Sequence, residues 1–367
     1  MKGKIFLILC LLLPFWFVSD TVAQEKSKAA SEDIVRVDTR VVFVDVSVKD
    51  SKTNAPVRDL SLKNFQVFDD GRPRELTYFS REGETRRPLS LLILIDLWTT
   101  YGRKYIKQQV VMQRLADALR LLAPEDKVAV MTTWIEEGDE PTKPLTKIRT
   151  ISDYTSDRER TIKALRDVPK LLGEQESLLE KIVADSRLDK WDIELVWSLS
   201  EIAETVMSDD AARRNRHFVV AGLIDDLFGL GRNEREAVAE RSARAGITFY
   251  GLVFKKSLMG NIFFGALNQI VMRPSGKSLH AAEYLAEQTG GQVMSIGRPD
   301  DLASGLEKII VDLASRYSLG FALEDGERDD GKMHRLEVRV EARDTRGKKR
   351  NLKTRARQNY FVPQIEK

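Results

Sequence analysis

The run Leu89-Ser90-Leu91-Leu92-Ile93-Leu94-Ile95 constrains this chain more than any other stretch. So many consecutive apolar residues suit a strand that is covered on both faces, as in the parallel sheet of an α/β protein. The run stops at Asp96 and is followed by Trp98, Thr99 and Thr100. A second run, His217 to Ile224, ends in the same way at Asp225 and Asp226. Ligands of open α/β sheets gather outside the carboxyl ends of the strands. Two buried strands that each end in Asp therefore predict a hard-cation site there, because Mg²⁺ and Ca²⁺ take oxygen ligands.

Periodicity on either side of these runs fixes the class. From Leu89 onward strands alternate with helix-period segments, which predicts a doubly wound, mostly parallel sheet of the Rossmann-like kind. Ile106, Val110, Leu115, Leu119 and Leu122 give the first helix an apolar stripe, and Val128 to Trp134 reads as the next strand. Helices are expected at Arg158 to Val168, Glu194 to Met207, Ser278 to Thr289 and around Leu302 to Leu313, with Ile247 to Phe254 as another buried strand. Pro169 to Lys190 is charged and helical in pattern and reads as an insertion. Met259 to Pro274 is an apolar loop carrying Phe263 and Phe264, suited either to binding or to core packing.

The flanks change to period two. Val42, Val44, Val46 and Val48 alternate with Phe43, Asp45 and Ser47, Asp69-Asp70-Gly71 reads as a hairpin turn, and Leu76 to Phe79 as the returning strand. Near the other end Leu336, Val338, Val340 and Ala342 alternate with charges, between Tyr317 to Leu323 and Leu352 to Val362. Either half alone would leave strand edges and an apolar face uncovered. Both flanks are therefore expected to build one β-sandwich beside the α/β unit.

Lys2 and Lys4, the apolar run Ile5 to Val18 and the small residues before Gln24 form the pattern of a secretory signal peptide, so the mature chain is expected to be exported, periplasmic, surface-attached or secreted. The alternative is an uncleaved anchor, for which the run is short. The one cysteine, Cys10, lies inside this segment, so no disulfide is expected afterwards. The expected organisation is a signal peptide over 1–23, a flexible leader over 24–33, N-terminal strands over 34–85, an α/β domain over 86–316 and C-terminal strands over 317–367. Lys and Arg total 59 against 56 Asp and Glu, spread through the chain, which gives no field favouring nucleic acid. No stable membrane span is expected after cleavage, and no small-molecule substrate.

Catalytic patterns are missing from the sequence. His217, His280 and His334 have no metal-ligand spacing, and no Gly-x-Ser-x-Gly elbow or phosphate-cradling glycine loop follows a strand. A Mg²⁺-dependent hydrolase using Asp96 with Asp225 or Asp226 is the enzymatic alternative, without a nucleophilic Asp-x-Asp or a cationic phosphate loop to support it.

Several segments, in order, resemble the von Willebrand factor A-related proteins of Acidobacteria. They are Val57-Arg58-Asp59-Leu60 with Asn64 to Gly71, Pro88 to Asp96, Leu122 to Val130, Leu285 to Gly291 and Tyr317 to Phe321. The resemblance implies an adhesion or interaction module in which Mg²⁺ is held by Asp-x-Ser-x-Ser after the first strand, a Thr from a second loop and an Asp from a third. Carried over, Asp96 matches the first Asp, Thr100 stands for the second Ser and Asp225 matches the third-loop Asp. Trp98 falls where the first Ser belongs, and an indole has no oxygen to ligate a metal. No Thr lies between Asp185 and Glu194, where the second loop is expected, although Ser186, Asp189, Asp192 and Glu194 carry oxygen. The site thus reads as degenerate, with Ca²⁺ on Asp96, Asp225 and Asp226 as the tolerant alternative. The expected function is a non-enzymatic module that binds a protein through Trp98, Thr99, Phe263 and Phe264. The alternatives are a rebuilt Mg²⁺ or Ca²⁺ adhesion site, or a structural subunit that assembles through its β strands. Trp98 has two readings, an interface anchor or a plug in the vacated metal position.

Overall fold

The computed structural model describes residues 40–81, 87–97, 102–136, 145–185, 216–225, 232–254, 281–324, 326–327 and 330–363. Within them the apolar runs form a six-stranded sheet. Its strands are β5 (Leu89–Ile95), β6 (Lys127–Glu136), β7 (Leu145–Thr155), β8 (His217–Asp225), β9 (Thr248–Phe254) and β10 (Val293–Ile296), in the order β10-β9-β8-β5-β6-β7. All neighbours are parallel except β7, which runs antiparallel to β6 at the edge. Counted along the sheet's own strands this is the doubly wound order, whose direction reverses between β5 and β8. Every residue of β5 and of β9 is buried, as the unbroken apolar runs require.

Among the described residues six helices accompany this sheet: α1 (Arg103–Ile106), α2 (Gln109–Ala118), α3 (Arg158–Asp185), α4 (Arg232–Arg244), α5 (Ala281–Thr289) and α6 (Pro299–Ala314). Leu91, Ile93 and Ile95 pack with Leu115, Leu165 and Leu306 on one face, while Leu92 and Leu94 pack with Val238, Tyr284 and Leu285 on the other. Covered on both faces, the sheet has no use for alternation, which is why its strands read as continuous apolar runs.

The structure corrects the helix readings in two places. The expected first helix is two, α1 and α2, broken at Lys107 and Gln108, and the break resets the helical phase. Val111, Met112 and Leu115 therefore point inward, and Val110, assigned to the stripe, is 56% exposed. The helix expected over Arg158 to Val168 does not end there: α3 runs on through Pro169 to Asp185, taking in most of the helical-pattern stretch read as an insertion. Proline removes one backbone hydrogen bond, but the buried stripe Ile162, Leu165, Val168 and Leu172 continues across it and holds the helix together. The helix expected at Glu194 to Met207 lies outside the described residues, as does Ser278.

Eight further strands form two four-stranded sheets. They are β1 (Val41–Asp50), β2 (Phe65–Asp69), β3 (Arg72–Arg74), β4 (Tyr78–Ser80), β11 (Tyr317–Ala322), β12 (Met333–Val340), β13 (Leu352–Arg355) and β14 (Asn359–Phe361), in the orders β13-β1-β11-β4 and β14-β12-β2-β3. One hydrophobic cluster joins both sheets, with Val42, Val44 and Val46 meeting Phe65, Val67, Phe321 and Tyr360. N-terminal strands pair with C-terminal ones at the centre of each sheet: β1 with β11 and β13, and β2 with β12. The returning strand of the Asp70-Gly71 hairpin is Arg72–Arg74, not Leu76 to Phe79. Tyr78 to Ser80 instead crosses to the other sheet and pairs with β11. The stretch Leu352 to Val362 likewise divides into β13 and β14, one in each sheet.

A buried polar seam lies between these sheets and the α/β layers. Asp312 of α6 accepts hydrogen bonds from Ser47 Oγ at 2.7 Å and Tyr250 OH at 2.5 Å, and pairs with Lys49 at 2.6 Å and Arg316 at 3.2 Å. Burial opposes ionisation of Asp312, yet Arg316 and Lys49 hold its carboxyl below the usual carboxylate range.

Candidate functional site

At the reversal of sheet order the backbones of Asp96 and Asp225 reach neighbouring strand ends. In the β5–β8 register Ile95 lies opposite Leu223, so the next positions along the two parallel strands lead to Asp96 on one and to Ile224 and Asp225 on the other. Asp96 anchors itself across this line by donating its backbone N–H to Leu223 O at 3.0 Å. The crevice at such a reversal is the usual ligand position of an open α/β sheet.

Asp96 is only 7% exposed. Its Oδ1 accepts a hydrogen bond from Thr133 Oγ1 at 2.9 Å, and the same oxygen of Thr133 accepts the Leu97 N–H at 2.9 Å. Thr133 sits on β6 one position past Thr132, the register partner of Ile95. One hydroxyl thus fixes both the carboxylate and the first amide of the chain beyond the strand. Sequence motifs did not single out Thr133; its signal was the placement of Thr132-Thr133 in the strand beside Leu89 to Asp96. Its neighbour Thr132 is fully buried, and its Oγ1 has no hydrogen-bond partner among the described residues.

Aromatic packing closes the adjoining strand end. Phe254, the last residue of β9, stacks on Tyr105 of α1 at 5.8 Å between ring centroids, and Tyr105 OH donates to Gly297 O at 2.8 Å. Gly102, just before α1, lies against the Phe254 ring, where any Cβ would overlap it. The chain can re-enter the fold so close to the strand end only because this residue has no side chain.

Of the other predicted site residues, Asp225 is the last residue of β8, opposite Phe254 in the β8–β9 register. Trp98, Thr99, Thr100, Asp226, Phe263 and Phe264 lie outside the described residues, as do Ser186, Asp189, Asp192 and Glu194. Among the described side chains the site offers one carboxylate, Asp96, oriented by a hydroxyl. Such a donor set is all oxygen and suits Mg²⁺ or Ca²⁺, but it is smaller than the six oxygens either ion takes. Among the described residues no helix is long and apolar enough to cross a membrane.

No family model matches the chain, and no curated protein matches it. Solved structures do. A von Willebrand factor type A protein from Catenulispora acidiphila is similar at 10% identity with a TM-score of 0.38, over 89% of this chain and 74% of that one. BatB from Bacteroides thetaiotaomicron is similar at 12% identity with a TM-score of 0.37, over 62% of this chain and 98% of that one. The human COPII-coat protein Sec24c is similar at 10% identity with a TM-score of 0.38, over 77% of this chain, which spans 44% of that protein.

Proposed function

We propose that this chain is an exported, non-enzymatic protein-binding module of the von Willebrand A-related kind seen in Acidobacteria, with a degenerate metal-ion-dependent adhesion site. In this reading residues 86–316 form the α/β domain, and 34–85 with 317–367 close a β-sandwich beside it. The observation that carries the reading is the placement of Asp96 at the reversal of sheet order, one register step from Asp225, with its Oδ1 held by Thr133. That position is where the fold presents ligands. The acid is retained there while Trp98 replaces an oxygen ligand.

A partner protein would dock on the loops at this end of the sheet, with Trp98 and Thr99 beside Asp96 and with Phe263 and Phe264 on the loop after β9. Large aromatic side chains suit the centre of an interface. The absence of catalytic motifs from the sequence supports a binding role over turnover.

Calorimetry of the full chain with Mg²⁺ and Ca²⁺, beside an Asp96→Asn variant, tests the reading. The expected result is that Asp96→Asn does not change the heat of either titration up to millimolar metal. Saturable binding that disappears in Asp96→Asn would replace this reading with a rebuilt, metal-dependent adhesion site.

A further inference from the structure

A second cluster of acids, far from β5 in the chain, meets a histidine on the two-sheet β module. Asp70 and Gly71 both take positive φ, at 48° and 81°, the geometry of a tight hairpin between β2 and β3. Asp70 is locked to β12 twice, donating its N–H to Arg335 O and accepting the Arg335 N–H on Oδ1, each at 2.9 Å. This sets the turn beside His334. The imidazole Nδ1 then lies 2.9 Å from Asp70 Oδ2 and 3.8 Å from Asp69 Oδ1, while Nε2 lies 3.0 Å from Asp330 Oδ2. Tyr360 stacks on the ring with centroids 5.0 Å apart.

Asp69 is 1% exposed. Its Oδ2 is fully engaged, accepting Arg74 Nη2 at 2.7 Å, Arg74 Nε at 3.1 Å and Tyr360 OH at 3.0 Å. Its Oδ1 is buried and has no hydrogen-bond partner among the described residues. A buried oxygen without a partner is uncommon and unfavourable, so it calls for an explanation.

We propose that Asp69 Oδ1, Asp70 Oδ2 and His334 Nδ1 form a site for a divalent cation of the Zn²⁺ class. The three ligand atoms lie within 4.8 Å of one another. Tetrahedral zinc with nitrogen and oxygen ligands spaces them about 3.4 Å apart. The two contacts of Nδ1, at 2.9 and 3.8 Å, bracket that spacing. In the tautomer that carries its proton on Nε2, toward Asp330, Nδ1 turns a lone pair toward carboxylates that carry none but lone pairs themselves. A proton placed on Nδ1 would serve Asp70 alone and leave Asp69 Oδ1 orphaned at 3.8 Å. A cation between the three serves all of them.

The surroundings complete the arrangement. Asp330 on the far nitrogen is the carboxylate that orients a metal-bound histidine and raises its basicity, and Arg74 with Tyr360 orients Asp69 through its other oxygen. Among the described residues four carboxylates gather here, Asp69 and Glu327 pairing with Arg74 and Asp70 and Asp330 with His334. Nitrogen with two carboxylate oxygens favours Zn²⁺ over Mg²⁺ or Ca²⁺, which prefer all-oxygen sets. The site does not depend on the Asp96 reading. Bound metal would cross-link the β2–β3 hairpin to β12, joining the two ends of the chain.

The experiment is titration of the metal-stripped full chain with Zn²⁺, followed by calorimetry and thermal melting. One Zn²⁺ per chain is expected, with a higher Tm in the loaded form. Asp70→Asn keeps an acceptor for the Arg335 N–H and folds normally, yet should bind Zn²⁺ at least about 10-fold more weakly. Asp330→Asn should weaken it by about 10- to 100-fold without touching a ligand atom. Asp96→Asn should bind Zn²⁺ as the parent does. X-ray absorption of the loaded chain should show nitrogen and oxygen neighbours and no sulfur. The proposal is overturned if the chain binds no Zn²⁺, if Asp70→Asn binds it undiminished, or if Ca²⁺ binds more tightly than Zn²⁺.

Discussion

His217 and His334 each face an aspartate, and the two pairs differ in everything around them. His217 Nδ1 stands 3.4 Å from Asp45 Oδ2, and its Nε2 is 2.8 Å from Thr248 Oγ1. Asp45 is shared, however: Arg87 reaches its Oδ2 at 2.7 Å and Ser318 Oγ donates to Oδ1 at 2.5 Å. Desolvation pushes the His217 pKa down to about 3 despite Asp45, and the nearby charges of Arg87, Arg316 and Arg357 push the same way. His217 is a neutral strut in a seam already supplied with cations. His334 has the opposite setting, with carboxylates on both ring nitrogens. The same two residue types give a closed structural pair in one place and a seat for a cation in the other, and the neighbouring arginines decide which.

The largest break in this comparison comes from removing each aspartate in metal-free buffer. Asp45→Ala removes the half-buried carboxylate that pairs with Arg87 and should cost about 3 kcal/mol in urea unfolding. Asp70→Ala removes a side chain that is 55% exposed and should cost less than about 1 kcal/mol. Equal losses would mean that the seam is solvated and that the two settings are alike.

The next effect is on pH. The folded-state pKa of His217 lies below its ordinary 6.5, so the unfolded chain binds the extra proton first as pH falls. Stability is fully present above about 6.5 and is lost as pH falls from there toward about 3. The slope contributed is about 1.4 kcal/mol per pH unit. Asp45, whose carboxyl is opposed by burial but held low by Arg87 and His217, adds a loss of the same sign at more acid pH. Unfolding midpoints at pH 7, 6 and 5 should fall in the parent and fall less steeply in His217→Gln. An unchanged slope in the variant would mean that His217 is charged in the fold.

These contrasts explain what could be read from the sequence. Leu89 to Ile95 and Thr248 to Phe254 were legible because two-sided burial writes itself as an unbroken apolar run. The flanking strands were legible where alternation is clean, as at Val42 to Val48. The short edge strand Val293 to Ile296 was not, since four residues, two of them half-buried, carry little periodicity. Nor was β7, whose Arg149 and Asp153 interrupt the apolar positions. The helix boundary at Val168 was misplaced because local backbone preference at Pro169 yielded to the buried stripe on both sides of it. Asp96 could be named from its place after an apolar run, whereas Thr133 and the group Asp69, Asp70 and His334 depend on pairing between strands distant in sequence. His334 looked isolated precisely in this sense: its partners, Asp69 and Asp70, come from the opposite end of the chain.

Asp96 offers the smallest and sharpest test, because it is a buried acid whose Oδ1 accepts the hydroxyl of Thr133 on the neighbouring strand. Thr133→Val keeps the shape of the side chain and removes the oxygen that both donates to Asp96 Oδ1 and accepts the Leu97 N–H. The loss should be about 1 to 2 kcal/mol, the scale of hydrogen bonds left unmade in a buried setting. It should also be additive with Asp45→Ala, since the two sit at opposite ends of the sheet, β8 beginning at His217 and ending at Asp225. Thr133→Ser restores the hydroxyl and should recover most of the loss. If Thr133→Val were neutral, the hydroxyl would not be what holds Asp96 in place. Recovery by Ser would instead assign the order of this strand end to one oxygen on the neighbouring strand.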